Sequence, residues 1–106
     1  MSAERELILS KRRRGIILKL VRQGHENQFP RLDDFELFAM LQELGQSVGR
    51  DQVLTLLQDL EVLQYVTFKS ASNEITGRRE LSQIELTAVG LRFVTQGKSN
   101  EDVLFG

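Results

Sequence analysis

Three short groups of basic side chains hold most of the chemistry open to this sequence. Lys11-Arg12-Arg13-Arg14 is the densest charge in the chain, Arg50 opens a segment that continues with Gln52 and Thr55, and Lys69, Arg78 and Arg79 lie on or beside a polar stretch. Guanidinium and ammonium groups pair with phosphate or carboxylate oxygens. An Arg, a Gln and a Thr at the start of one helix can reach base edges, Arg to guanine and Gln to adenine. Each group also has a plainer reading: a solvated helix turn with snorkelling stems, a solvated helix face and a charged hairpin tip. Acids stand close by, with Asp51, Asp59 and Glu61 in the Arg50 segment and Glu74 and Glu80 flanking the arginine pair. Duplex affinity comes mainly from neutralised phosphates, so these acids oppose it.

Covalent and metal chemistry find no support. The chain has no cysteine, which excludes a disulfide framework, a thiolate zinc site and a cysteine nucleophile. His25 is the only histidine and stands next to Glu26, fit for a solvent or capping role but without companions for a metal set. No Ser or Thr has a base, no glycine-rich phosphate loop occurs, and Asp33-Asp34 is explained by helix capping. The expectation is a protein that is not an enzyme, with no catalytic residue, metal or cofactor.

Something must position the basic groups, and 106 residues with 41% hydrophobic content leave room for one domain and one core. The formal net charge of −1 hides an uneven distribution. Residues 1–25 carry seven basic side chains against Glu4 and Glu6, a balance of +5, whereas residues 26–63 carry eight acids against Arg31 and Arg50, a balance of −6. Charge separated into blocks bears on partners more than on fold. No apolar run approaches the about 20 residues of a membrane span, and Ile16-Ile17-Leu18 ends at Lys19. The first residues lack the order of a secretory signal, so a soluble, cytoplasmic protein without membrane association is expected.

Periodicity supplies the elements. Ala3 to Gln23 reads as helical, with Ile16, Ile17, Leu20 and Val21 in one stripe and Gly24 at the place of a cap; either one helix overhangs the core or an arm precedes a helix from Ser10. His25 to Arg31, with the only proline, is a connector. Asp33 and Glu36 predict a capping box for a second helix burying Leu37, Phe38, Leu41 and Leu44. After Gly45 to Gly49, a third helix from about Arg50 to Leu63 turns Val53, Leu56, Leu57, Leu60 and Leu63 inward. Period two over residues 65–69 and 82–87 predicts a hairpin with an extended tip over residues 70–80. Thr87 caps a last helix with Ala88, Leu91 and Val94 on one face, ended by Gly97, and Val103-Leu104-Phe105 is a tail that is loose unless it docks.

This order resembles a winged helix-turn-helix domain. The stretch Ser47-Val48-Gly49-Arg50-Asp51-Gln52-Val53, then Leu56-Leu57, Leu60 and Leu63-Gln64-Tyr65-Val66, is similar to the recognition helix and following strand of such domains. Ile84-Glu85-Leu86-Thr87-Ala88-Val89-Gly90 is similar to the junction before the last helix in regulators of the MarR and PadR kind, and the length and order resemble small winged-helix proteins of Mu-like prophages. A departure is Leu63-Gln64, where a glycine is usual. The resemblance implies an α+β, mostly helical fold: three helices, a β-hairpin wing and a C-terminal helix over residues 10–97, between a 1–9 arm or helix extension and a 98–106 tail. It implies a DNA-binding transcriptional regulator on double-stranded DNA, contacting phosphates through the wing and Lys11 to Arg14, with Arg50, Gln52 and Thr55 at bases. The alternative is a protein-interaction module whose acidic second and third helices bind a basic protein partner or a second copy. Leu7, Ile8, Leu9, Val103, Leu104 and Phe105 are candidates for homodimer contact, the other use of such ends being to cover a gap in the core.

Overall fold

A computed structural model describes residues 3–26 and 32–105; the connector around Pro30 lies outside the described residues. Helix α1 runs Ala3–Glu26 without a break, so residues 3–9 continue the helix rather than forming an arm. It buries Ile17, Leu18 and Val21, with Ile16 and Leu20 at the margin, a stripe turned by one residue from expectation. Gly24 is buried inside the helix and is not its cap. Helix α2, Asp34–Glu43, begins where Asp33 Oδ1 accepts the N–H of Glu36 at 2.7 Å. It buries Leu37 and Leu41, while Leu44, expected inside, ends the helix half-exposed. Helix α3, Arg50–Val62, buries Val53, Leu56, Leu57 and Leu60, the spacing read from the sequence.

Strands β1 (Val66–Ser72) and β2 (Arg79–Leu86) pair antiparallel, and they run further toward the tip than period two alone indicates. The expected loop over residues 70–80 shrinks to residues 73–78. The register slips between Thr67 and Lys69, and opposite this slip Gln83 takes φ +51°. Such a bulge adds one residue to a strand and resets its alternation. Leu81 and Ile84, three apart, therefore both enter the core. Leu32 bridges Ile84, so a third extended segment borders the hairpin at its base.

Helix α4, Ala88–Gln96, starts at Thr87, whose Oγ1 accepts the N–H of Gly90 at 2.9 Å and donates to the Gln64 carbonyl at 2.6 Å. Gly90 sits so close to the chain that a Cβ there would overlap the Tyr65 carbonyl oxygen. The Leu-Thr-x-x-Gly pattern thus has a physical cause, a helix start pressed against the turn that leads into β1. The neighbouring Gln64 has φ +67°, a left-handed conformation carried without glycine. Val94 is buried and Phe93 stacks on Tyr65 at 4.5 Å, but Leu91, expected on this face, is exposed.

The tail docks. Val103 has no exposed surface, the Leu104 N–H donates to the Lys11 carbonyl at 3.1 Å, and Phe105 lies 5.0 Å from Phe93 and under the Lys19 ammonium. It crosses α1 at Gly15, where a Cβ would strike the Leu104 carbonyl. Val103, Leu104 and Phe105 therefore fill a gap in their own core, which removes Val103 as a dimer contact. Leu7 and Ile8, 51% and 50% exposed on the overhanging half of α1, stay available for one; Leu9 is partly buried.

Candidate nucleic-acid interface

The first turn of α3 lies between two basic elements. On one side the wing brings Arg78 Nη2 to 3.8 Å from Asp51 Oδ1. On the other, Ser10 and Arg13 of α1 face Asp51, Gln52, Thr55, Leu56 and Asp59 across an open groove of about 300 Å³. The wing and α1, the latter through Ser10 and Arg13, thus lie on either side of the same turn although far apart in sequence.

The wing tip is a built structure. Asn73 Oδ1 accepts the N–H groups of Ile75 and Thr76, its own N–H donates to the Arg78 carbonyl at 2.7 Å, and its Nδ2 donates to Glu80 at 3.0 Å. Arg79 is steadied across the hairpin by its Nε bond to Ser70 Oγ at 2.7 Å, and Lys69 stands exposed on β1. Among the described residues the side chains of Lys11, Arg12 and Lys69 have no hydrogen bond or ion pair, and Arg78 and Arg79 keep most of their donors open.

The other predicted contacts are spent on the fold. Arg50, expected at a base edge, donates through Nη2 to buried Asp34 at 3.1 Å and lies over the Phe35 ring at 5.3 Å, so in this structure it is engaged within the fold. Arg14, expected at a phosphate, is mostly buried, pairs with Asp59 at 3.0 Å and donates to the Asp102 carbonyl at 2.9 Å. Arg13 donates to the Ser47 carbonyl at 3.3 Å. Gln52 Oε1 accepts the Gly49 N–H at 2.8 Å and caps its own helix, leaving its amide NH₂ to point elsewhere, and the Thr55 hydroxyl donates back to the Asp51 carbonyl.

Sequence reasoning missed Asp34, assigning both acids of Asp33-Asp34 to capping. A cap uses one side-chain oxygen as acceptor, so the second acid is the available signal. It also missed that the acidic block is answered within the chain: Glu26, Asp34, Asp51 and Asp59 pair with Arg22, Arg50, Arg78 and Arg14. No group of metal-ligating side chains occurs among the described residues, and no helix among them is long and apolar enough to cross a membrane.

No family model matches the sequence, and no curated protein matches it. Among solved structures, the chain is similar to Bacillus subtilis PadR, in a crystal structure of that protein in complex with operator DNA, with a TM-score of 0.56 and 22% identity. The match covers 86% of this chain and 51% of that one, so the chain spans about half the length of the PadR chain. The likeness establishes a winged-helix fold, α+β and mostly helical.

Proposed function

We propose that this winged-helix protein binds double-stranded DNA and acts as a transcriptional regulator, meeting phosphates with Lys11, Arg12, Lys69, Arg78 and Arg79. The observation that carries this reading is the placing of the first turn of α3 between the wing on one side and α1, through Ser10 and Arg13, on the other, with Lys11 and Arg12 open on the same segment of α1. Phosphate contacts from both flanks hold a helix in register over a groove. The likeness to a protein solved with its operator supports the same reading. Base contact from α3 is limited to the Gln52 amide and Asp51, whose side chain is 95% exposed; a carboxylate there accepts from a cytosine amino group and disfavours other edges.

The ion pairs that tie four acids of residues 26–63 to arginines of the same chain weaken the motive for a basic protein partner. Pairing of two copies through Leu7 and Ile8 of α1 fits DNA binding as a dimer. The deciding experiment is fluorescence anisotropy with a labelled duplex of random sequence at low salt: saturable binding is expected, and no association there refutes the reading.

A further inference from the structure

Asp34 is the one charged side chain buried among the described residues, 3% exposed, and the cap of α2 is made by Asp33 without it. Its carboxylate is divided between two other elements. Oδ1 accepts the N–H of Leu81 in β2 at 3.0 Å, and Oδ2 meets Arg50 Nη2 at the start of α3 at 3.1 Å. Arg50 is held in turn over Phe35, with its Nε buried. From the first turn of α2, one carboxylate therefore ties the wing to α3.

The position of this tie along the wing matters. At the base of the hairpin the Leu32–Ile84 bridge holds β2, and beyond Leu81 the strand runs outward through Glu80 and Arg79 to Arg78. Near the tip the only ion pair to α3 among the described residues is Arg78 with Asp51, long at 3.8 Å and solvated. The three residues from Glu80 to Arg78 make a lever of about 10 Å if extended, so about 10° of slack at Leu81 moves Arg78 by about 2 Å, more than a hydrogen bond to phosphate tolerates. A charged acceptor in a low-dielectric pocket, bonded to a strand N–H and to a guanidinium at once, is the directional contact that removes such slack.

We propose that Asp34 is a positioning residue that sets the angle between wing and α3, so that Arg78, Arg79 and the first turn of α3 address one duplex together. The proposal rests on the duplex-binding reading for its use, but the angle itself is measurable without DNA. Asp34→Asn keeps an oxygen toward Leu81 and removes the charge that holds Arg50; Asp34→Ala removes both. Residual dipolar couplings of the free protein are expected to fit one alignment tensor for residues 79–81 and α3 in the wild type, and to need a separate, less ordered wing in Asp34→Asn. Asp34→Ala is expected to raise amide exchange at Leu81 at least tenfold relative to Asp34→Asn. If Asp34→Ala does not fold, Asp34→Asn and Arg50→Gln carry the test. On duplex DNA, the loss caused by Arg78→Ala/Arg79→Ala is expected to shrink about fivefold in the Asp34→Asn background, the coupling of a shared network. A single tensor kept in Asp34→Asn and Arg50→Gln, or an undiminished wing penalty, overturns the proposal. A wild type that binds no duplex refutes the duplex reading instead, and the couplings still decide whether Asp34 sets the angle.

Discussion

The salt dependence of duplex binding separates the arginines that face solvent from those spent on the fold. Eight basic side chains are candidates on sequence grounds, Lys11, Arg12, Arg13, Arg14, Arg50, Lys69, Arg78 and Arg79. Arg14 and Arg50 are locked to Asp59 and Asp34, and Arg13 donates to the Ser47 carbonyl. Five remain. Arg78 counts among them because its partner Asp51 is 3.8 Å away and solvated, a contact worth at most about 1 kcal/mol and readily exchanged for a phosphate. Each neutralised phosphate contributes about −0.9 to the slope of log K against log salt, so five contacts predict about −4.5 per protomer and eight predict about −7. Raising salt from about 50 to about 200 mM then weakens binding about 500-fold in the first case and about 20,000-fold in the second. Anisotropy titrations of a labelled duplex over that range measure the slope. Arg78→Ala/Arg79→Ala is expected to bring it to about −2.7, while Arg14→Ala leaves it near −4.5. A slope near −7, or one indifferent to the wing substitutions, refutes the assignment of which arginines are free.

Further outcomes test the fold that holds these groups. Gly90→Ala gains about 1 kcal/mol of helix propensity but forces α4 off the Tyr65 carbonyl, straining the Thr87 bonds and the Tyr65–Phe93 stack, for a net loss of about 2–4 kcal/mol in urea unfolding; a loss under about 1 kcal/mol contradicts the close approach. Gln64→Gly, at φ +67°, is expected to leave stability unchanged or raise it by up to about 1 kcal/mol, whereas Gln64→Val lowers it by more than about 1 kcal/mol. Leu7→Ser/Ile8→Ser is expected to shift light-scattering mass toward the monomer without lowering the unfolding midpoint by more than a few degrees, since both side chains are half-exposed; an unchanged mass removes α1 as the pairing surface.

The helices were legible because their signals are local. Asp33 before Glu36, glycines on both sides of the α2–α3 turn, and the Val53, Leu56, Leu57, Leu60 spacing each act within a turn or two, and the structure keeps them except that only the Asp33 half of the expected capping box forms. The hairpin was less legible. A bulge at Gln83 breaks the alternation on which strand reading depends, so Leu81 falls between the expected tip and the expected strand although it is fully buried. The site was legible as a set of basic groups and not as a set of roles. Whether an arginine faces solvent depends on acids brought near by tertiary structure, such as Asp59 for Arg14, 45 positions away, and no local pattern marks such a pair. Asp34 was hidden for the opposite reason: a local explanation, capping, sufficed for its neighbour and absorbed it.

The docked tail has a consequence for how the molecule is made. Arg14 and Asp102, joined by a hydrogen bond, are 88 positions apart, and the groove over Gly15 is filled by residues 104 and 105. During synthesis α1 leaves the ribosome long before the segment that completes its packing, and a contact spanning so much chain closes late because the intervening loop must be ordered first. Until then the α1 surface around Lys11 and Gly15 is bare, with Val103 and Phe105 not yet in place. The helix thus completes its packing only after residues 103–105 have been added, so a chain cut before Val103 is expected to hold α1 less firmly beside α3.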